Sequence, residues 1–381
     1  MTRPVIAVVG GGQLARMMAP AATALGITLR VLVESPHASA AGPAHEVVVG
    51  QPTDASAVQQ LCAEPVPMAV TWEHEHIPQE FFEIARQHGI PALPGFAALV
   101  HAQDKIAMRR KMDALGLPNP AWSVVDTAAD VDAFIATHGR EVVAKTSRGG
   151  YDGKGVRVIQ GSSDITDWLE AFADGGPQVL LEQKINFDRE LSQLVARRPS
   201  GEVRSWPLVE SLQREGVCAE VIAPAPRTDP AVSVQARGIG EHIARELGVV
   251  GVLAVEMFDI QGELVINELA MRPHNSGHWT IDGSLTSQFE QHLRAVADLP
   301  LGATEALAPA IAMVNILGGE NTDLHASLAA VEDTGAKIHL YDKEVRKGRK
   351  VGHVNVLAGD SESGRERARQ VATLIREGGH A

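Results

Sequence analysis

The stretch Val142-Val143-Ala144-Lys145-Thr146-Ser147-Arg148-Gly149-Gly150-Tyr151-Asp152-Gly153-Lys154-Gly155-Val156-Arg157-Val158-Ile159 decides the fold. Its two β-branched ends, Val142–Lys145 and Val156–Ile159, predict a pair of strands. Between them, Arg148–Gly155 holds four glycines, which let a backbone approach an anion closely and turn its N–H groups into a nest. Lys145 closes the first strand and adds positive charge at the same place. The loop is not a Walker A motif: the chain has no G-x-x-x-x-G-K-[ST], and a strand follows where a helix would be needed. A plain flexible hairpin needs neither four glycines nor a Tyr, an Asp and two basic residues among them. The stretch therefore reads as a glycine hairpin that covers phosphates.

Working outward, a helix near Asp164–Ala173 and a strand at Val179–Glu182 complete a small α+β unit, and Asp104–Leu115 reads as a linking helix. Upstream, Val5–Val9, Thr28–Val33 and Ala69–Trp72 alternate with helical stretches such as Gln13–Leu25, which predicts a parallel, doubly wound sheet over the first hundred residues. From about Asn186 to Glu268 strands dominate, with a helix near Val234–Leu247, and Ser361–Glu377 predicts a charged surface helix. The expected division is 1–100, 101–185 and 186–381.

The glycine turn Gly10-Gly11-Gly12-Gln13-Leu14-Ala15 fits G-x-G-x-x-A, with Glu34 nineteen residues past Ala15. Alone, it suggests a nicotinamide-dependent oxidoreductase. The same turn serves any α/β domain that presents N–H groups at a helix start. Glu73, at the carboxyl end of a strand beside this turn, sits where open α/β sheets bind substrates. If Glu73-His74-Glu75-His76 continued that strand, the histidines would face away from the glutamates, so they read as non-ligands.

Two strands joined near Gly262 place Glu256 opposite Glu268 on one side of a ladder. Like charges so placed destabilise a sheet unless something lies between them. Mg2+ on nucleotide phosphates is the natural occupant, since it takes one or two carboxylates, and Asn267 shares that strand end. The loop Arg272-Pro273-His274-Asn275-Ser276-Gly277-His278-Trp279 follows directly and is dense in donors for an anion and a reacting amine. Lys343-Glu344-Val345-Arg346-Lys347-Gly348-Arg349-Lys350 holds five basic residues in eight, a fit for a phosphate monoester.

The 381 residues carry 34 basic and 47 acidic side chains, a net charge of −13. This excludes a general nucleic-acid binder, whose affinity rests on neutralising phosphates. Apolar runs such as Ala306–Val314 are too short to span a bilayer, and Val5–Val9 is too short for a signal peptide, so a cytoplasmic protein with no membrane partner is expected. Cys62 and Cys218 are too few for a disulfide framework.

GGGQLARM, VTWEHEHI, AKTSRGGYDGKG, LEQKINFDREL, VINELAMRPHNSGHWT and YDKEVRKGRKVGH run in the order seen in the ATP-grasp enzymes of purine biosynthesis, which the chain resembles from Val5 to about Val356. The resemblance implies a mixed α/β and α+β fold: an ATP-grasp fold preceded by a doubly wound, Rossmann-like N-terminal domain. It implies a ligase forming a C–N bond, with ATP and Mg2+, that carboxylates the 5-amino group of 5-aminoimidazole ribonucleotide from bicarbonate by way of carboxyphosphate. A homodimer that hands its product to a separate mutase is expected. The formate-dependent glycinamide ribonucleotide transformylase, with a different phosphate loop, is the alternative within the fold.

By the same resemblance, Lys105 and Lys145 contact the ATP phosphates under Gly150, Tyr151, Asp152, Gly153, Lys154 and Gly155. Glu182, Gln183, Lys184 and Ile185 line the adenine pocket, Glu190 holds the ribose, and Glu256 and Glu268 bind the metal beside Asn267. Gln13, Leu14, Glu73, Tyr151, Asp152, Lys154, Arg272, His274 and Asn275 surround the ribonucleotide and bicarbonate, whose 5′-phosphate side falls to Lys343, Arg349 and Lys350. Three positions depart from the pattern: Lys105 for an Arg, Gln213 for a His at the nucleotide site, and Met271 for a Pro before Arg272.

Overall fold

The computed structural model describes residues 3–150, 155–214 and 216–378. In the N-terminal unit, β1 (Val5–Val9), α1 (Gln13–Ala24), β2 (Thr28–Val33), β3 (Glu46–Val49), α2 (Ala55–Leu61), β4 (Ala69–Trp72), α3 (Gln79–Gln87) and α4 (Phe96–Gln103) follow in order. The four strands form a parallel sheet in the order β3-β2-β1-β4. β1 and β4 are buried along their whole lengths, as strands covered on both faces must be. Because Val9 pairs with Trp72, the glycine turn after β1 and Glu73 after β4 emerge side by side.

Helix α5 (Lys105–Ala114), capped by Asp104, leads into a second sheet. That unit comprises β5 (Trp122–Val125), α6 (Ala128–His138), β6 (Val142–Thr146), β7 (Val156–Ile159), α7 (Thr166–Ala173) and β8 (Val179–Gln183), ordered β5-β8-β6-β7 and antiparallel. The expected glycine hairpin is therefore the β6–β7 connection, and a single turn of 3-10 helix at Ser162–Ile165 precedes α7.

The rest builds a nine-stranded sheet: β9 (Arg189–Arg197), β10 (Val203–Ser205), β11 (Val209–Arg214), β12 (Val217–Ala223), α8 (Pro230–Glu246), β13 (Gly251–Ile260), β14 (Glu263–Ala270), α9 (Thr280–Gly283), α10 (Gln288–Val296), β15 (Ala310–Leu317), α11 (Leu324–Leu328), β16 (Ala336–Leu340), β17 (Lys350–Ala358) and α12 (Ser361–Glu377). The long helix expected from Val234 starts earlier, at Pro230. Asp229 caps it by accepting from the Ala231 N–H at 2.8 Å, and Pro230 fits the first helical turn because no N–H is needed there. Helix α4 runs past the boundary expected at residue 100, to Gln103.

The cores do not respect the sequence divisions. Phe289, Leu293 and Val296 of α10 pack among Ile6, Val8, Met18 and Leu29 of the first unit. Trp72 and Phe81 share a second cluster with Ile243 of α8 and with Leu253 and Ile266 of the large sheet. Among the described residues no helix is long and apolar enough to cross a membrane.

Candidate active site

The first edge of the site is the start of α1. Glu73 turns its carboxylate into the glycine turn and accepts from the backbone N–H groups of Gly12, Leu14 (3.1 Å) and Ala15 (3.2 Å). These are the orphan donors of a helix N-terminus, and an internal carboxylate satisfies them. A Cβ at Gly10 would lie 2.6 Å from the Glu73 Cγ, so the turn closes tightly over this side chain. Burial raises the Glu73 pKa, against the pull of those N–H groups. The donors that a dinucleotide pyrophosphate would use are thus already taken.

Strand β4 stops at Trp72, so residues 73–76 do not continue it as a strand and the alternation expected of one does not apply to them. Glu73 enters the turn, and Glu75 Oε2 accepts from Arg272 Nε at 2.8 Å. The His74 and His76 rings lie together, their centroids 5.9 Å apart, and His74 borders the glycine turn as Glu73 does, since a Cβ at Gly10 would fall 2.9 Å from its Cδ2. Gln13, at the first position of α1, accepts from the Lys343 Nζ, which brings the basic run against the glycine turn.

The glycines flanking the β6–β7 connection take conformations that only glycine adopts readily. Gly149 and Gly155 adopt φ of +81° and +70°, and a Cβ at Gly155 would fall 2.5 Å from Thr146 Oγ1. Gly150 is the last described residue before Gly155, and Tyr151, Asp152, Gly153 and Lys154 lie outside the described residues. Lys145 Nζ sits 2.8 Å from Glu182 Oε2 and 3.3 Å from Asn267 Oδ1. Lys105 opens α5, its own N–H donating to Ser147 O at 2.9 Å beneath the hairpin. A lysine at a helix start opposes the helix dipole, a placement that an anion nearby would offset.

Glu182 does not face an open pocket as a lining residue would. Its buried carboxylate is gripped by Arg109 (2.8 Å) and Lys145. Burial works to raise its pKa, but the two cations outweigh burial and hold it below the usual carboxylate value. Gln183 donates its N–H to Ala121 O at 2.8 Å, Lys184 pairs with Glu141, and Ile185 is half-buried in the segment joining the two sheets. Arg109 escaped the sequence reading. Its signal is its position three residues from both Ile106 and Met112, on the buried stripe of α5.

The predicted carboxylate pair is present: Glu256 and Glu268 are direct partners in the β13–β14 ladder. A bulge immediately after Glu256 re-aims the strand there. Burial, Glu268 and Glu190 push the Glu256 pKa up to about 8, against Lys350 and Arg272. Two carboxylates opposed across the ladder, with the Asn267 amide between them in sequence, are a hard oxygen donor set that fits Mg2+. Among the described residues no group of three His, Cys, Asp or Glu is placed to hold a metal alone; two carboxylates suffice where phosphates and waters complete the shell. Glu190 lies opposite Phe258 of β13 and Ser211 of β11, and burial raises its pKa while the Gln213 side chain donates to it. Gln213 therefore contacts the residue expected at the ribose.

The donor loop after β14 joins the two edges. Met271 is fully buried in the central core, which fixes the backbone ahead of Arg272 without a proline. His274 Nε2 faces Glu256 Oε1 at 3.6 Å, and its Nδ1 meets the Ser276 hydroxyl at 2.8 Å. Burial, then Arg272 and Lys350, keeps His274 neutral by lowering its pKa well below 6.5. Gln288 clamps the same residue, accepting from the His274 N–H and donating to its C=O, both at 2.8 Å. Asn275 accepts from Asn315 Nδ2 at 3.3 Å. In the basic run, Lys343 and Lys350 are half-buried, and the charge of Lys350 acts on Glu256 and His274. Arg349 differs from expectation: it is exposed, donating to Glu344 O at 3.3 Å, because the turn through Gly348 carries it outward.

Comparison with known proteins accounts for this geometry over nearly the whole chain. A ribonucleotide synthetase preATP-grasp domain matches residues 3–103, an ATP-grasp domain residues 110–289, and a phosphoribosylaminoimidazole carboxylase C-terminal domain residues 311–367. The N5-carboxyaminoimidazole ribonucleotide synthase of Corynebacterium ammoniagenes is 47% identical over 98% of this chain and 92% of its own. The chain belongs to that synthase family. The Synechococcus elongatus member is 37% identical over 97% of this chain and 93% of its own. Among solved structures, the Thermus thermophilus synthetase superposes with a TM-score of 0.86 at 37% identity, covering 99% of this chain and 100% of its own. An Aspergillus clavatus synthase in complex with ADP and 5-aminoimidazole ribonucleotide gives 0.87 at 29% identity, covering 98% and 99%. As a synthase of the ATP-grasp class, the enzyme is a ligase that forms a C–N bond and uses ATP with Mg2+.

Proposed function

We propose that the enzyme carboxylates the 5-amino group of 5-aminoimidazole ribonucleotide with bicarbonate at the expense of ATP, in purine biosynthesis. One bicarbonate oxygen attacks the γ-phosphorus as the bond to ADP breaks, giving carboxyphosphate. The amine then forms the N–C bond, phosphate leaves with the C–O electrons, and the amine's proton is lost. Products are 5-carboxyaminoimidazole ribonucleotide, ADP and phosphate. Mg2+ held by Glu256 and Glu268, with Asn267 beside them, supplies charge neutralisation at the phosphates. Lys105, Lys145 and the hairpin 150–155 bind and cover those phosphates, Glu190 with Gln213 takes the ribose hydroxyls, and segment 182–185 flanks the adenine. Arg272, His274 and Asn275 orient bicarbonate and the amine beside Gln13, Leu14 and Glu73, with Lys343 and Lys350 on the 5′-phosphate. Placement and exclusion of water carry the chemistry, with no covalent enzyme intermediate.

The observation that carries this reading is the span of the donor loop: Arg272 bonds Glu75 of the first unit, while His274 two residues on faces Glu256 at the phosphate end. An amine-bearing substrate and a nucleotide therefore have adjacent places. The test is ADP release from ATP and bicarbonate, with and without 5-aminoimidazole ribonucleotide. Strong dependence on both is expected; activity with formate in place of bicarbonate and glycinamide ribonucleotide as acceptor would transfer the enzyme to the transformylase reaction. Tight NADH binding without ATP binding would sink both, and the filled glycine turn argues against that outcome. A homodimer passing product to a separate mutase completes the proposal, checked by sedimentation and by coupled assay.

A further inference from the structure

Lys145 and Glu182 present an electrostatic problem. Their side chains are 9% and 5% exposed, and the Nζ lies 2.8 Å from Oε2. A buried one-to-one pair is neutral and has little attraction left for a polyphosphate. Arg109 changes that count. Its Nε donates to the other carboxylate oxygen, Glu182 Oε1, at 2.8 Å, so two cations stand against one anion and leave a net charge of +1.

Arg109 cannot offer this charge to a ligand directly. Its side chain is wholly buried, and three of its other four N–H groups are given to Asn119 Oδ1 (2.9 Å), Ile266 O (2.7 Å) and Asn267 O (2.8 Å). The last two carbonyls belong to the strand that presents Asn267 and Glu268. One guanidinium thus ties α5, whose first residue is Lys105, to β8 of the second sheet and to the metal-bearing edge of the large sheet. A rigid fork suits such a post better than an ammonium, which has fewer donors.

We infer that Arg109 is a positioning residue for the nucleotide: by taking up the charge of Glu182 it leaves that of Lys145 available to the ATP phosphates, and it fixes the peptide that carries Asn267. This rests on Lys145 being a phosphate contact, as proposed above. Arg109 itself touches no substrate.

The test compares Arg109→Met, Glu182→Gln and the double variant by calorimetric titration with ADP in the absence of metal, alongside KM values for ATP and 5-aminoimidazole ribonucleotide. Arg109→Met should weaken ADP and raise the KM for ATP about ten- to hundred-fold, the scale of one lost charge-assisted contact, with the ribonucleotide KM unchanged. Adding Glu182→Gln should restore most of the ADP affinity, because it releases Lys145 from a neutral pair. A residue that merely packed would lower the melting temperature while the folded fraction bound ADP normally, and the second substitution would add damage. Should Arg109→Met fail to fold, Arg109→Lys decides the matter: it keeps the charge on Glu182 but not the fork to the Ile266 and Asn267 carbonyls, so ADP affinity should fall only a few-fold. Unchanged ADP affinity in Arg109→Met, a double variant no tighter than the single, or a large loss in Arg109→Lys would overturn the inference. Wild-type protein that bound no ADP would overturn the nucleotide assignment itself.

Discussion

At the scale of single residues, His292 shows how a fixed tautomer becomes a pH dependence. Its Nδ1 accepts from the Val252 N–H at 3.1 Å, so its Nε2 carries the proton and donates to Thr71 Oγ1 at 2.8 Å. Burial pushes its pKa down to about 3. Below pH ~6.5 the unfolded chain takes up a proton that the folded chain refuses, so stability is full above that value and drains away as pH falls toward 3. His278 and His353, also lowered by burial, add to the same slope. His292→Gln can keep both hydrogen bonds, and it should flatten the acid limb of calorimetric stability by about one proton. An unaltered slope would show that His292 titrates alike in both states. None of this was legible in the sequence, where His292 is one histidine in an amphipathic helix, since Thr71 lies 221 positions away. Arg109 was hidden for the same reason, its partners being Glu182, Ile266 and Asn267.

At the scale of elements, the β13–β14 hairpin was the most legible part of the site. The turn falls at Gln261-Gly262, and Glu256 meets Glu268 as expected. The register from the turn alone would set Glu256 opposite Asn267, and the bulge after Glu256 supplies the extra residue that brings Glu268 across. Glu268→Gln should lose nearly all turnover, whereas Glu256→Gln should lower the rate and weaken its Mg2+ dependence; wild-type kinetics at low Mg2+ in both would refute the paired site. Without metal, either variant should be slightly more stable, because one of two opposed carboxylates is neutralised. The basic run between β16 and β17 was legible only in part. Composition gave its charge, but a loop has no period to say which side chains turn inward, and Arg349 turned out. Lys350→Ala should lower kcat/KM for the ribonucleotide about ten- to hundred-fold, the scale of a lost charge-assisted hydrogen bond, and leave the KM for ATP in place. Lys347→Ala, at an exposed position, should be nearly silent. Equal effects of the two substitutions, each substrate being varied in turn, would remove the dedicated phosphate site.

At the scale of the whole molecule, strand and helix alternation announced the doubly wound sheet, and the glycine hairpin announced the β6–β7 pair of the second sheet. The closing of the first sheet by α10 was not announced, because a helix and the face it covers carry no mark of each other when more than 200 residues apart. That closure has a thermodynamic consequence. Leu293 is fully buried among Ile6, Val8 and Leu29, and Leu293→Ala should cost about 2–5 kcal/mol. Since the clusters run through both the first unit and the large sheet, the loss should lower one shared unfolding transition in calorimetry. Separate melting of an early and a late transition, with only one displaced, would mean the units fold independently.

The carboxylate at the tip of β4 also makes the first unit a closed port. Glu73 is tethered by the chain, so it competes for the α1 N–H groups at an effective concentration that dissolved anions do not reach. An intruding phosphate would have to evict it and leave a buried carboxylate without donors. The lobe that looks most like a cofactor-binding domain therefore discriminates by prior occupancy rather than by shape. On the proposed reading, a phosphate ester goes instead to the half-buried lysines at either end of the basic run, Lys343 and Lys350.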